Sequence, residues 1–194
     1  MVGEDINVML YLTYLVFALI LGMVPFSVAL NSSVYRCIEW KETFRIAFVL
    51  ALFMAMATGI GGAIGYGIKG LFFSMKVPVA LFIILLIAFR LFMDSRRRNK
   101  EIRIIVSEHN RILISFGIVI SINPMLLGIS LGILYSGVLY LTGFIFGMVF
   151  LLTVIGIRLG KLGWLNLGRT AELAGSFALF ITGVIILLQY LKMI

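Results

Sequence analysis

Two prolines inside apolar segments mark the points in this chain where backbone groups could bind a solute. Pro25 and Pro124 each interrupt an uncharged run that is long enough to cross a bilayer. Because a proline has no N–H, it frees the carbonyl oxygen four residues earlier, here those of Leu21 and Ile120. Open backbone at membrane depth is tolerated where it is buried in protein or lines a cavity. Paired interruptions in the two halves of a membrane protein therefore indicate a transport site.

The side chains around these prolines are neutral, with hydroxyl, amide and thioether groups but no carboxylate. Helical spacing places Ser27 and Asn31 on one face of the first helix. It likewise places Asn123 and Ser130 on one face of the fourth. If both faces point inward, they form a polar strip between helices 1 and 4; alternatively, these groups only bond to neighbouring helices. The predicted substrate-binding residues are Met23, Pro25, Ser27, Asn31, Ser121, Asn123, Pro124, Met125 and Ser130.

The composition is that of an all-α polytopic membrane protein. Of the 194 residues, 62% are hydrophobic and 12% are charged. The mean hydropathy of +1.18 leaves too little polar surface for a soluble domain of this size. Apolar runs of about 20 residues are the length that spans a bilayer. These runs predict six transmembrane helices, near residues 8–31, 44–67, 77–94, 112–134, 138–160 and 170–191, with a turn at 135–137.

The basic residues predict the orientation in the membrane. Of the 16 lysines and arginines, 13 lie in or beside the links between helices 1 and 2, 3 and 4, and 5 and 6. Only Lys69, Lys76 and Lys192 lie on the opposite side. The positive-inside rule places the basic links in the cytoplasm and both termini outside. We therefore expect a multi-pass protein of the cell membrane, whose net charge of +8 reflects topology and lipid contact rather than nucleic-acid binding.

The chain divides into two related halves. Three features recur at similar spacing: the prolines, a Gly-x-x-x-Gly motif at 61–65 and 156–160, and the sequence Ala-Leu-Phe-Ile at 80–83 and 178–181. Because each half has three helices, an odd number, the second half enters the membrane upside down, as in many transporters. We predict a first three-helix repeat at 1–94, a basic cytoplasmic linker at 95–111 and a second three-helix repeat at 112–194.

These motifs resemble those of the manganese efflux pump family (MntP), within the wider LysE-type exporter superfamily. In helices 1 and 4 the family has a small residue, Leu or Met, then Asp and Ala. Near the start of helix 6 it has a glycine, a basic residue, Ala-Glu and further glycines, as in the segment 168–175 (GRTAELAG) here. The resemblance covers nearly the whole chain and implies six helices, two inverted halves and efflux activity. The matching residues of helices 1 and 4 are Met23, Phe26, Ser121, Ile122, Met125 and Gly128.

The chain departs from the family pattern at the acidic positions. The two motif aspartates, which the resemblance implies hold the metal, fall on Val24 and Asn123. The small residues that follow them fall on Pro25 and Pro124. Hard divalent cations need anionic oxygen ligands, so this neutral set suits a soft, monovalent or partly hydrated ion better than manganese, and no metal ligands are assigned. In the matched segment of helix 6, Glu172 is a candidate gate or proton carrier, or else a partner of Arg169.

These features predict a secondary transporter that exports an ion or small solute at a site between helices 1 and 4. No hydrolase, kinase or nucleotide-binding motif occurs in the sequence, so neither an enzyme activity nor a cofactor is expected. The expected partners are the lipid bilayer and the transported ion or solute, with a homodimer as an open alternative. Two other functions are kept: a membrane scaffold or regulatory subunit with a degenerate transporter fold, and an exporter of neutral or zwitterionic solutes.

Overall fold

The structure is a computed structural model that describes residues 2–35, 38–70, 76–96, 110–134, 138–161 and 165–192. Side chains are described for residues 13–33, 38–70, 77–93, 113–134, 138–161, 170 and 173–185. Most of the predicted basic linker and the whole predicted turn at 135–137 lie outside the described residues.

Seven helical segments make up nearly all of the described chain. They are α1 (Val2–Tyr35), α2 (Trp40–Ile68), α3 (Lys76–Arg96), α4 (Asn110–Ile120), α5 (Ile122–Leu134), α6 (Val138–Gly160) and α7 (Leu165–Lys192). The described chain is almost entirely helical, which confirms the predicted all-α polytopic class. Helices α4 and α5 together correspond to the fourth of the six expected helices, so the seven segments match six helices. Helices α1 and α7 begin before their apolar runs, since each residue added to a formed helix gains one backbone hydrogen bond.

Four helical stretches of the described chain are long and apolar enough to cross a membrane. They are Thr13–Ser33, Trp40–Ile68, Leu113–Leu134 and Val138–Gly160. The described apolar parts of α3 and α7 are shorter, at Val77–Met93 and Leu173–Ile185. Their exposed surface is also apolar, as at Phe82 and Phe180, which is the pattern expected where lipid replaces water as the solvent.

Each proline-bearing span packs on the middle helix of the other half. Helix α1 packs mainly on α6 and also on α7, while α5 packs mainly on α2 and also on α3. The two middle helices, α2 and α6, pack on each other, as do α3 and α7. Exchanging α1 with α5, α2 with α6 and α3 with α7 therefore reproduces the same set of packed pairs.

Glycines bring α2 and α5 into backbone contact along a surface that we call the α2–α5 seam. Gly61 and Gly65 of α2 lie against the carbonyl oxygens of Met125 and Ile129. Gly128 of α5 in turn lies against the backbone of α2 at Thr58. A methyl group at any of these glycines would collide with main-chain atoms, so only glycine allows this approach.

The α1–α6 seam has the same register. Gly156 of α6 lies against the carbonyl oxygen of Phe26, and Gly160 lies against that of Leu30. Phe26 directly follows Pro25 of α1. In the same way, Met125, which Gly61 contacts, directly follows Pro124 of α5. The second contact lies four residues further along in both seams. The two halves are thus joined by equivalent backbone contacts.

The ring and glycine contacts also give the helix directions. Phe44 and Phe48 of α2 pair with Phe150 and Phe146 of α6, at centroid distances of 6.0 and 5.8 Å, so α2 and α6 are antiparallel. Along each seam, the residue numbers of both helices increase in the same direction. Helix α2 therefore runs parallel to α5, and α1 runs parallel to α6. It follows that α1 and α5 point in opposite directions. This relation supports the inverted repeat, which stays a prediction from the sequence.

Candidate functional site

The fourth span is interrupted at Ser121, three residues before its proline. Helix α4 ends at Ile120 and α5 begins at Ile122. The N–H of Ser121 is shared between the carbonyl oxygens of Gly117 at 3.1 Å and Ile118 at 3.2 Å. The Ser121 hydroxyl also donates to the Gly117 carbonyl. Thr58 and Thr153 make the same side-chain bond inside unbroken helices, so what distinguishes Ser121 is its shared N–H.

Pro124 adds a second perturbation on the other side of the break. It cannot donate to the carbonyl of Ile120, which is the acceptor that a regular helix would assign to residue 124. The ladder resumes at once, because the N–H of Met125 donates to the carbonyl of Ser121 at 3.0 Å. One carbonyl oxygen next to the break therefore lacks its usual helical donor.

Asn123 lies directly after the break and is almost completely buried. Only 8% of its surface is exposed, and its Oδ1 has no hydrogen-bond partner in the described part of the chain. A buried acceptor without a donor costs about 1–3 kcal/mol. The amide oxygen is therefore an acceptor that a bound donor or cation would satisfy.

The first span keeps its helix through the corresponding proline. Helix α1 continues without a break past Pro25, which is buried along with Ser27. The position three residues before Pro25 is Gly22, which has no hydroxyl to compete for a backbone carbonyl as Ser121 does. Val24 and Asn31 are half-buried. The two prolines that the sequence pairs are thus unequal in their effect on the backbone.

The site predicted between helices 1 and 4 stays a prediction, and the main packing of helix α1 is with other helices. Helix α1 packs on α6 and α7, and neither α4 nor α5 is among its main neighbours. Met23 of α1 lies beside Gly175 of α7, since a Cβ built on that glycine would be 3.2 Å from the Met23 Cβ. The reason is that the glycines of α2 and α6 allow closer approach, which draws each proline-bearing span onto a middle helix.

The other predicted site residues have mixed roles. Ser130 is fully buried and donates to the Ala80 carbonyl of α3 at 3.0 Å, which is the interhelical bond considered as its alternative role. The backbone of Glu172 belongs to α7, but its side chain and that of Arg169 lie outside the described residues. Among the residues described, no group of three or more His, Cys, Asp or Glu side chains could hold a metal ion.

Apolar side chains surround the break. Leu21 and Val24 of α1 belong to the same core cluster as Ile120, Leu126 and Leu127 of the fourth span. The amide of Asn123 therefore lies between residues of a hydrophobic core. In such a place a hydrogen bond or an ion contact is electrostatically stronger than in water.

Two features of this region could have been found in the sequence. Gly128 and Gly132 form a third Gly-x-x-x-Gly motif, and Gly132 lies against the carbonyl of Gly62 in the α2–α5 seam. The missing N–H of Pro124 is the sequence signal for a perturbed helix at this point. The burial of the unpaired Asn123 oxygen has no such signal, because it depends on which helices pack around it.

This arrangement of spanning helices, with one interrupted beside a buried amide, defines a polytopic helical membrane protein of the transporter class. The family model described as "Putative manganese efflux pump" (Mntp) matches residues 37–187. The chain belongs to this family, which confirms the resemblance seen in the sequence. The family is one of membrane efflux transporters rather than of enzymes.

Relatives from several bacteria are similar over most of their length, and each is named "Putative manganese efflux pump MntP". The protein of Parabacteroides distasonis is 27% identical over 186 residues, covering 94% of this chain and 98% of the relative. That of Bacillus licheniformis is 30% identical over 179 residues, covering 91% and 94%. That of Nitratidesulfovibrio vulgaris is 29% identical over 179 residues, covering 89% and 88%. No solved structure matches the chain.

Proposed function

We propose that this efflux transporter exports a cation or a small hydrogen-bond-donating solute that binds at the break between α4 and α5. The observation that carries the proposal is the buried Asn123 Oδ1, which has no partner among the described residues. A bound donor or cation would remove the cost of this unpaired acceptor, which is about 1–3 kcal/mol. The carbonyl of Ile120, which Pro124 cannot pair, is the second oxygen available on the same span.

The names of the relatives make manganese the first substrate to test. We infer that this chain binds manganese weakly. Mn²⁺ is a hard cation that prefers carboxylate, carbonyl and water oxygens, and anionic ligands offset the hydration it loses. The described groups at the site are an amide, hydroxyls, thioethers and apolar side chains. A monovalent or partly hydrated cation, or a small polar solute, is better matched to this neutral set.

We also propose the surroundings in which the site works. The chain lies in the cell membrane with its basic links in the cytoplasm and both termini outside, as the distribution of lysines and arginines predicts. Two inverted halves move relative to each other around the site, and an ion or proton gradient drives export. The α1–α6 and α2–α5 seams join one half to the other, so they are the surfaces across which such a movement would occur.

Transport by purified protein in liposomes tests the proposal. Efflux of Mn²⁺, Na⁺ and K⁺ would be compared for wild type and Asn123→Leu, which keeps the side-chain size but removes the acceptor. We expect a monovalent cation to be transported by wild type and transport to fall at least about tenfold in the variant, because the variant removes an oxygen ligand of the ion and a loss of about 1.4 kcal/mol is already tenfold.

Thr142→Val is the matched control for this experiment. Its hydroxyl bonds only locally, to the Leu139 carbonyl on an exposed part of α6, so transport should not change. Strong Mn²⁺ efflux that is unaffected by Asn123→Leu would show that the substrate binds elsewhere.

A further inference from the structure

A cation–π pair joins the end of α6 to the start of α2. The guanidinium carbon of Arg158 lies 3.1 Å from the ring centroid of Trp40, so the charge sits over the face of the indole. Arg158 is in the last turn of α6, and Trp40 is the first residue of α2. A charge held over a Trp ring in this way gains about 0.5–2 kcal/mol, depending on how far it is desolvated.

The guanidinium is otherwise unsatisfied. Its Nε and Nη2 are buried and have no hydrogen-bond partner in the described part of the chain. Glu39 and Glu42 lie at the start of α2 nearby in sequence, but neither carboxylate is paired with Arg158. Burying a charge without a counter-ion is unfavourable. The remaining nitrogen, Nη1, is not among these buried, unpaired atoms, so it is the nitrogen from which an anion would accept a hydrogen bond.

This pair lies where two apolar spans end, which is where lipid headgroups are expected. Helix α2 is an apolar span that begins at Trp40, and α6 is one that ends at Gly160. The Trp40 ring remains 59% exposed, as is typical of tryptophans at a membrane interface. Lys161 follows the end of α6 and is exposed, and the exposed Lys41 and Arg45 lie in the first turns of α2. At this end of α2 and α6, the described cations therefore outnumber the described carboxylates, Glu39 and Glu42.

We propose that Arg158 and Trp40 form a binding site for the phosphate of an anionic phospholipid headgroup, with Lys161 as the second cation. A phosphate oxygen can accept a charge-assisted hydrogen bond from Nη1 of the guanidinium. Basic pockets between transmembrane helices are known to bind acidic headgroups. The ring of Trp40 holds the guanidinium in place, so little side-chain freedom is lost when the lipid binds. This lipid site is independent of the transported substrate.

Thermal unfolding of the purified protein tests the site. The melting temperature would be measured in zwitterionic phosphatidylcholine micelles with increasing phosphatidylglycerol, for wild type, Arg158→Gln and Arg45→Gln. We expect phosphatidylglycerol to raise the wild-type melting temperature by mass action. The lipid concentration needed should be at least about tenfold higher for Arg158→Gln, since a charge-assisted hydrogen bond contributes about 1.5–3 kcal/mol. Arg45→Gln removes an equal charge from an exposed position outside the Arg158–Trp40 pair, so it should raise the lipid concentration needed much less than Arg158→Gln does.

Further variants keep the outcome clear if Arg158→Gln folds poorly. Arg158→Lys keeps the charge but loses the planar fork, so the response to lipid should weaken without disappearing. Trp40→Leu removes the ring and should weaken the response in the same direction. Equal losses for Arg45→Gln and Arg158→Gln, or no response of wild type to phosphatidylglycerol, would overturn the proposal. A rise of equal size with inorganic phosphate in detergent would assign the site to a soluble anion and also overturn it.

Discussion

At the scale of single residues, this chain differs from a divalent-cation site in the two positions that matter most. Asn123 has the right location for a ligand, because it is buried at a helix break and its Oδ1 is unpaired among the described residues. Val24 offers no polar atom and packs with the hydrophobic core. The site therefore has the burial of a binding site but not the charge that a hard metal ion requires.

The double variant Val24→Asp with Asn123→Asp tests the missing charge. Two carboxylates that face one space repel each other when the site is empty, and a bound cation relieves the repulsion. We expect manganese to raise the melting temperature of the double variant and to change that of wild type little, because only a ligand of the folded state stabilises it. The measurement is a pair of melting curves with and without Mn²⁺ for each protein.

Two controls make this result specific. Asn123→Asp alone should respond less than the double variant, since one carboxylate offsets less of the hydration that the ion loses. Equal stabilisation of wild type and the double variant would mean that manganese binds through ligands other than these. No response from either protein would show that positions 24 and 123 do not share a space.

At the scale of elements, the glycines of the seams decide which helices touch. Gly61 contacts the carbonyl of Met125, and Gly156 contacts the carbonyl of Phe26. Each of these carbonyls belongs to the residue directly after a proline. Their places in the sequence predicted close packing but not the partner, because a Gly-x-x-x-Gly motif fits several neighbours equally well. The most extensive packing of each proline-bearing span is with a middle helix, and the site predicted between helices 1 and 4 stays a prediction.

Gly61→Ala should destabilise the protein, because its new methyl group would meet the Met125 carbonyl, a main-chain atom that cannot move aside alone. The expected cost is about 1–3 kcal/mol, the usual range for overpacking. Gly67→Ala is the matched control on the same helix, since no atom lies within 4 Å of its added methyl group. That variant should be neutral or gain up to about 1 kcal/mol of helix propensity. Unfolding in detergent with increasing denaturant measures both, and equal effects would argue against the seam.

At the scale of the whole molecule, equivalent contacts relate the two halves. The packed pairs are unchanged when the halves are exchanged, and α1 and α5 run in opposite directions. The predicted inverted repeat would place matching ends of the two halves on opposite sides of the membrane. The bias of basic residues then decides which side faces the cytoplasm.

Cysteine labelling in sealed cells tests the orientation. After Cys37→Ser, single cysteines at Gly70 and Lys161 would be exposed to a membrane-impermeant thiol reagent. Both positions are solvent-exposed, at the ends of α2 and α6. We expect Gly70→Cys to be labelled from outside and Lys161→Cys only after the cells are opened. The reverse pattern would contradict the predicted orientation.

The sequence by itself determined the all-α class, the six helices and the positions of the two prolines, because hydropathy and the missing proline N–H are local properties of the chain. It did not determine that the span at Pro124 breaks while α1 continues past Pro25. Nor did it determine the unpaired oxygen of Asn123 or the stacking of Arg158 on Trp40. Those features were decided by the tertiary structure, because burial and contact depend on which distant helices approach, and backbone contact at glycines selected those partners.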